Sequence, residues 1–166
     1  MISIKTKIGT YRYEESLAIG RKIDTTMVFE NFAGQRNTLK NNGNNKPTLY
    51  FFIDQTHCST CWGKALEILV SKFRSILPDR MVVLTSFRNF RDIVIPFKEL
   101  KIDTNVYNIV QGEISPSLAS IGLPLLITTD QNMRIDGMLI VDSDLIEQVE
   151  YFVRAFIEKN KINLVQ

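Results

Sequence analysis

The sequence predicts an α/β protein, a central mixed β-sheet flanked by helices with a β-hairpin near the amino terminus. Three observations predict it. Residues 48–53 (Thr-Leu-Tyr-Phe-Phe-Ile) form a continuous apolar run of the kind found in strands buried on both faces. Soon after, Leu66, Leu69, Val70, Phe73, Ile76 and Leu77 recur at helical spacing until Pro78. Similar stretches then alternate along the chain and close in a hairpin and a last helix, an order that gives a sheet covered by helices.

Taken in order, residues 1–19 show no sustained period and read as an irregular lead-in, with one domain following over residues 20–166. Residues 26–32 and 36–39 read as two strands joined by Ala33-Gly34-Gln35. The polar stretch 40–46 (Lys-Asn-Asn-Gly-Asn-Asn-Lys) reads as a loop. Pro47 opens the first core strand. Residues 81–87 are a second β-prone run, 89–100 a helix weakened by Pro96, 104–110 a short strand and 115–121 a brief helix. Residues 125–129 and 135–141 are strands flanking the turn 130–134. The last helix is the most regular: Leu145, Ile146, Val149, Phe152, Val153, Phe156 and Ile157 make one apolar stripe. Asp144 is placed as its N-cap, with Glu147 completing a capping box.

Composition narrows the function classes. A hydrophobic fraction of 45% over 166 residues supports a core that needs no disulfide staple, since a chain of this size buries roughly 70% of its unfolded surface. A net charge of +2 with mixed signs throughout gives no broad attraction to nucleic acid. No stretch approaches the roughly 18 consecutive apolar residues of a membrane-crossing helix. The first nine residues lack the apolar centre of a signal peptide, as the mature form of an exported protein would.

The two cysteines of the chain, Cys58 and Cys61, lie in one four-residue motif, Cys-Ser-Thr-Cys, after the first core strand and before the helical pattern. Two thiols at this spacing can close a small disulfide ring, and so short a loop stabilises the fold little, so chemistry explains the pair better than stapling does. Metal binding is the other use of such a pair. A structural zinc site needs four N or S ligands, whereas the chain offers two Cys and one His, and His57 beside Cys58 is awkwardly placed to share an ion. No metal site is expected.

Strand, Cys58-x-x-Cys61 at a helix start, and later Gly122-Leu123-Pro124 leading into a hairpin and a terminal helix resemble the thioredoxin-like superfamily over roughly residues 20–160. The amino-terminal hairpin and the helix-strand insertion at 89–110 are similar to those of TlpA-like thiol-disulfide oxidoreductases of the AhpC/TSA type. A peroxiredoxin is a poorer match: position 55 is Gln, Thr56 is only two residues before Cys58, and no Pro lies nearby. The chain also departs from thioredoxin itself. His57 and Ser59-Thr60 replace the Trp and Gly-Pro of that motif, Phe52 stands where a buried carboxylate is usual, and Lys64 replaces the Glu of some TlpA-like reductases.

The resemblance implies a thiol-disulfide oxidoreductase with Cys58 as attacking thiol and Cys61 as buried resolving thiol. At a helix start, backbone N–H groups and the dipole favour thiolate, and Cys-x-x-Cys thiols titrate at roughly 3.5–7 against about 8.5 for free cysteine. His57, if protonated, would lower Cys58 further, and the Ser59 and Thr60 hydroxyls could donate to its sulfur. Pro124 is expected in the cis form facing the disulfide, exposing Leu123 to pair with an extended substrate strand. Asp54 and Glu67 are candidate proton handlers. Trp62 and Phe90 read as packing residues at the edge of the site, and Arg88, Arg91 and Lys98 as a solvated basic face. The implied partners are protein thiols or disulfides and a reducing or oxidising partner protein, with no cofactor beyond the redox-active disulfide. The implied place is the periplasm or wider cell envelope of a bacterium. The alternative functions are a thioredoxin-fold interaction module without enzymatic activity and, on a weaker motif match, a peroxiredoxin-like thiol peroxidase acting through Cys58.

Overall fold

A computed structural model of the protein describes residues 3–39, 46–102 and 105–163. Among these, seven strands form one sheet in the order β2-β1-β5-β4-β3-β6-β7. The strands are β1 (Val28–Asn31), β2 (Arg36–Thr38), β3 (Thr48–Asp54), β4 (Met81–Ser86), β5 (Val106–Gln111), β6 (Leu125–Thr129) and β7 (Ile135–Ile140). Strands β3, β4 and β5 run parallel, and β1, β2, β6 and β7 complete the sheet through antiparallel pairs. The mixed sheet, the amino-terminal hairpin and the insertion of a helix and β5 all match the sequence reading. The loop expected at 40–46 lies, but for Lys46, outside the described residues, as does Thr104.

The helices are α1 (Ile4–Ala18), α2 (Ser59–Phe73), α3 (Leu77–Arg80), α4 (Arg91–Glu99), α5 (Pro116–Ala119) and α6 (Glu147–Lys159). Side-chain alternation along β3 sends Leu49, Phe51 and Ile53 to one face, where they meet Leu66, Leu69 and Phe73 of α2, Phe97 of α4 and Val153 of α6. Tyr50 and Phe52 point to the other face, against Ala18 of α1 and Leu118 of α5. Both faces are therefore covered, which is why β3 reads as an unbroken apolar run. Helix α2 ends at Phe73, ahead of Pro78, the stop that the sequence predicts. The chain continues through a 3₁₀ turn into α3, where a proline in the first turn lacks only an N–H that has no helical partner.

Two expectations fail. Residues 1–19 are not an irregular lead-in, because Ile4–Ala18 is helical and capped by Ser3, whose hydroxyl accepts from Thr6 N–H. Only Ala18 of this helix is fully buried, so no apolar stripe marks it in the sequence. Polar contacts fix it instead: Tyr11 donates to Asp142 at 2.7 Å, Lys7 reaches Asp142 and Asp144, and Glu15 accepts the Ile140 N–H of edge strand β7 at 3.1 Å. The capping box also moves. Asp142, not Asp144, accepts the helical N–H, that of Asp144, and opens a 3₁₀ turn ahead of α6. Asp144 is drawn away to Lys7.

Candidate functional site

Strand β3 ends at Asp54 on one face of the chain's path and α2 begins at Ser59 on the other side of a short turn. Within that turn Gln55 and Thr56 are exposed, His57 is buried and Cys58 is half-buried. The turn is heavily bonded. His57 N–H donates to the Asp54 carbonyl, Thr56 donates its N–H and hydroxyl to the Asp54 carboxylate, and Gln55 N–H donates to the Ser86 carbonyl of β4. Asp54 holds its charge here. Burial pushes its carboxyl up, but the two Thr56 hydrogen bonds, the nearby Ser86 hydroxyl and His57 together take it below its usual value. The Thr56 hydrogen bonds make this carboxylate a turn-former. Glu67, on the exposed side of α2, stands apart from the turn.

Cys58 is the N-cap of α2 and is joined by a disulfide to Cys61, with 5.3 Å between their Cα atoms. The Cys61 backbone N–H donates to Cys58 Sγ at 3.3 Å. The helix start thus supplies the sulfur with a fixed donor in addition to the dipole. Ser59 and Thr60 are exposed, and the donor meeting the sulfur is this backbone group rather than either hydroxyl. Cys61 is 2% exposed. The pair is therefore asymmetric, with Cys58 half-buried and Cys61 fully buried.

His57 differs from its expected role. Its side chain is buried against Phe52, ring edge to ring face at 5.6 Å between centroids. Its Nδ1 accepts the Asp54 backbone N–H at 3.0 Å, which puts the ring proton on Nε2. Burial holds the imidazole below its ordinary value, outweighing the Asp54 charge. A neutral ring, with one nitrogen committed to backbone, is not the protonated neighbour that would lower Cys58. The Ile121 backbone approaches the ring without reaching hydrogen-bond geometry, and Nε2 has no partner among the described residues.

Pro124 immediately precedes β6, whose Leu125 pairs with Phe52, so it enters the sheet level with the end of β3 from which the turn to Cys58 departs. It is buried, its carbonyl accepts the Val141 N–H at 2.8 Å, and Leu123 beside it is half-buried. The expected cis bond is not present, as no peptide bond among the described residues is cis. A trans bond is intrinsically favoured by about 0.5–1 kcal/mol, and a Gly-Leu-Pro step at a strand entry satisfies the same sequence pattern in either form. Trp62 and Phe90 pack against the core, Phe90 with its ring 4.7 Å from that of Phe32. Arg88, Arg91 and Lys98 are exposed.

One feature of the site escapes the sequence reading. A polar cleft of about 450 Å³ opens at the carboxyl ends of β3, β4 and β5, lined by Asp54, Gln55, Ser86, Arg88, Asn108 and Val110 among others. Its buried Asn108 exchanges hydrogen bonds with both backbone groups of Phe87 and accepts from Thr85. A lone Asn inside the β-prone run Val106–Gln111 is the only trace of this in the sequence.

With the order of strands, the helix-borne disulfide and the closing hairpin described, solved structures can be set beside the chain. The thioredoxin domain of a thiol-disulfide oxidoreductase from Bacteroides vulgatus superposes with a TM-score of 0.61 over 82% of this chain and 98% of that one, at 20% identity. The fold is thioredoxin-like. A thiol:disulfide interchange protein from Bacteroides sp. gives a TM-score of 0.56 at 20% identity, covering 82% of this chain and 89% of that one. StoA from Bacillus subtilis gives 0.53 at 16% identity, covering 82% and 98%. No family model and no curated protein matches the sequence. At these identities the likeness is one of architecture, and the thioredoxin-like core carries Cys58 and Cys61 at the start of α2, the helix that follows β3.

Proposed function

We propose that the protein is a thiol-disulfide oxidoreductase that exchanges disulfides with protein cysteines through Cys58 and Cys61. One observation carries the reading: a disulfide at the start of α2, between a half-buried and a fully buried cysteine, in a thioredoxin-like fold. Solved neighbours described as a thiol-disulfide oxidoreductase and a thiol:disulfide interchange protein support it.

In the reducing direction the Cys58 thiolate attacks one sulfur of a client disulfide. A Cys58–client bond forms and the other client sulfur leaves as a thiolate that takes up a proton. The Cys61 thiolate then attacks Cys58 Sγ, re-forming the Cys58–Cys61 bond and releasing the second client thiol. Two electrons pass to the client, and a partner dithiol restores them. The oxidising direction is the reverse. The donor at Cys61 N–H stabilises charge on Cys58 whenever that sulfur is attacking or leaving. Pro124, which has no N–H to offer, and Leu123 border the path by which an extended client segment would reach the pair. The exchange draws on the two sulfurs and needs no further cofactor. On its TlpA-like character we place the protein in the bacterial cell envelope, where disulfides persist.

Cys58→Ser is expected to abolish reduction of insulin disulfides, while Cys61→Ser accumulates mixed disulfides with clients. Wild-type protein inert in the insulin assay, with both thiols titrating near the free value, would overturn the reading. Phe52 and Lys64, standing where related reductases carry carboxylates, favour a second reading as an interaction module. Under that reading Cys61→Ser captures no client covalently.

A further inference from the structure

We infer that His57 is a positioning residue of the redox turn, acting through its Nδ1 lone pair on the Asp54 N–H and not through charge on Cys58. The inference rests on the oxidoreductase reading of Cys58 and Cys61, and it adds the group that sets where the attacking sulfur sits.

The turn 54–58 carries the chain over the top of the sheet. Phe52, beneath it, belongs to the core layer shared with Leu118, whereas the helix that begins after Cys58 packs on the opposite layer with Phe51 and Ile53. A turn of this kind needs an anchor, and Gln55 and Thr56 are exposed. His57 is the side chain that goes inward, 6% exposed, onto Phe52 on the layer opposite α2. It grips Asp54 twice, with its own N–H on the carbonyl and its Nδ1 on the N–H, both at 3.0 Å. The end of β3 and the residue before Cys58 are thereby tied into one unit. Since Nδ1 must accept, the ring serves only when that nitrogen is unprotonated. The charge facing it is the Asp54 carboxylate.

Neither hydrogen bond of the clamp involves sulfur, so positioning and charge predict different variants to matter. Asn at position 57 keeps a carbonyl oxygen near the place of Nδ1. Phe keeps the ring on Phe52 but leaves the Asp54 N–H without its acceptor, the loss that costs most in a buried setting.

The test is the rate of alkylation of Cys58 by iodoacetamide in the reduced protein, followed against pH; the buried Cys61 contributes little. His57→Asn is expected to hold the wild-type midpoint and a rate within about twofold, and His57→Phe to be slower by roughly tenfold. Should the Phe variant not fold, His57→Gln, which reaches the Nε2 end but offers no acceptor at Nδ1, carries the same expectation. Equal midpoint rises in the Asn and Phe or Gln variants would overturn the clamp in favour of charge. Unchanged rates in all of them would overturn it in favour of plain packing. Insulin reduction is measured on the same wild-type protein: its failure removes the oxidoreductase reading and leaves the alkylation comparison standing.

Discussion

At the scale of single residues, His57, Asp54 and Asp142 are placed so that acid weakens the protein, whereas Glu15, pushed up by burial, acts in the opposite sense. His57 is held neutral by burial, below its ordinary value of 6.5. The unfolded chain therefore takes up a proton before the folded one does. The stability due to this group is complete above about pH 6.5 and is lost as pH falls toward the folded value. Asp54 and Asp142 are lowered carboxylates, so their contribution is present above about pH 4 and lost below it. Urea midpoints should accordingly begin to fall between pH 6.5 and 5.5, and His57→Asn should flatten that part of the curve. The same slope in both proteins would show that His57 is not the group responsible. The sequence makes Cys58 and Cys61 legible because spacing alone defines the pair. It misleads on His57, since proximity in sequence suggests a charge beside the thiolate, whereas the ring lies on Phe52 with its Nδ1 bound to the Asp54 N–H.

Among the elements, α1 and α2 show the two ways a helix is specified. The buried stripe of α2 (Ala65, Leu66, Leu69, Val70, Phe73) is written in the sequence at helical spacing. Helix α1 lacks such a stripe and leaves Ile4, Tyr13 and Leu17 exposed, so periodicity cannot reveal it. Its anchor is Asp142, which accepts from Tyr11 and pairs with Lys7, contacts more than 130 residues apart in sequence that no local pattern encodes. The same carboxylate, by taking Asp144 N–H, displaces the capping box expected at Asp144. Asp142→Ala is expected to destabilise the protein by about 1–3 kcal/mol, leaving the half-buried Tyr11 hydroxyl without its acceptor. Hydrogen exchange reports the same change locally, because the Ile140 N–H bonded to Glu15 should lose protection as α1 loosens. Unaltered protection at Ile140 would mean that α1 is held by its apolar contacts alone.

For the molecule as a whole, one sheet with both faces covered accounts for the fold and for the placement of the site. Strand β3 is the hinge of that arrangement. Its residues alternate between two cores, it pairs with β4 on one side and β6 on the other, and it delivers the chain directly to the turn that carries Cys58. Phe51→Ala should cost about 3–5 kcal/mol in denaturant unfolding, since Phe51 is fully buried beneath α2. A cost below about 1 kcal/mol would contradict the packing described. The apolar run 48–53 announced this strand, but the polar cleft at its end did not show, because Asp54, Ser86 and Asn108 are brought together only by the pairing of three strands. The central claim is that Cys58 and Cys61 are a working redox couple and not a staple. The reduction potential of the pair, measured against a thiol-disulfide buffer, tests it most directly. A reversible two-electron couple between about −270 and −120 mV is predicted, the range of thiol-disulfide exchange proteins. A potential below about −300 mV, where structural disulfides lie, would contradict it.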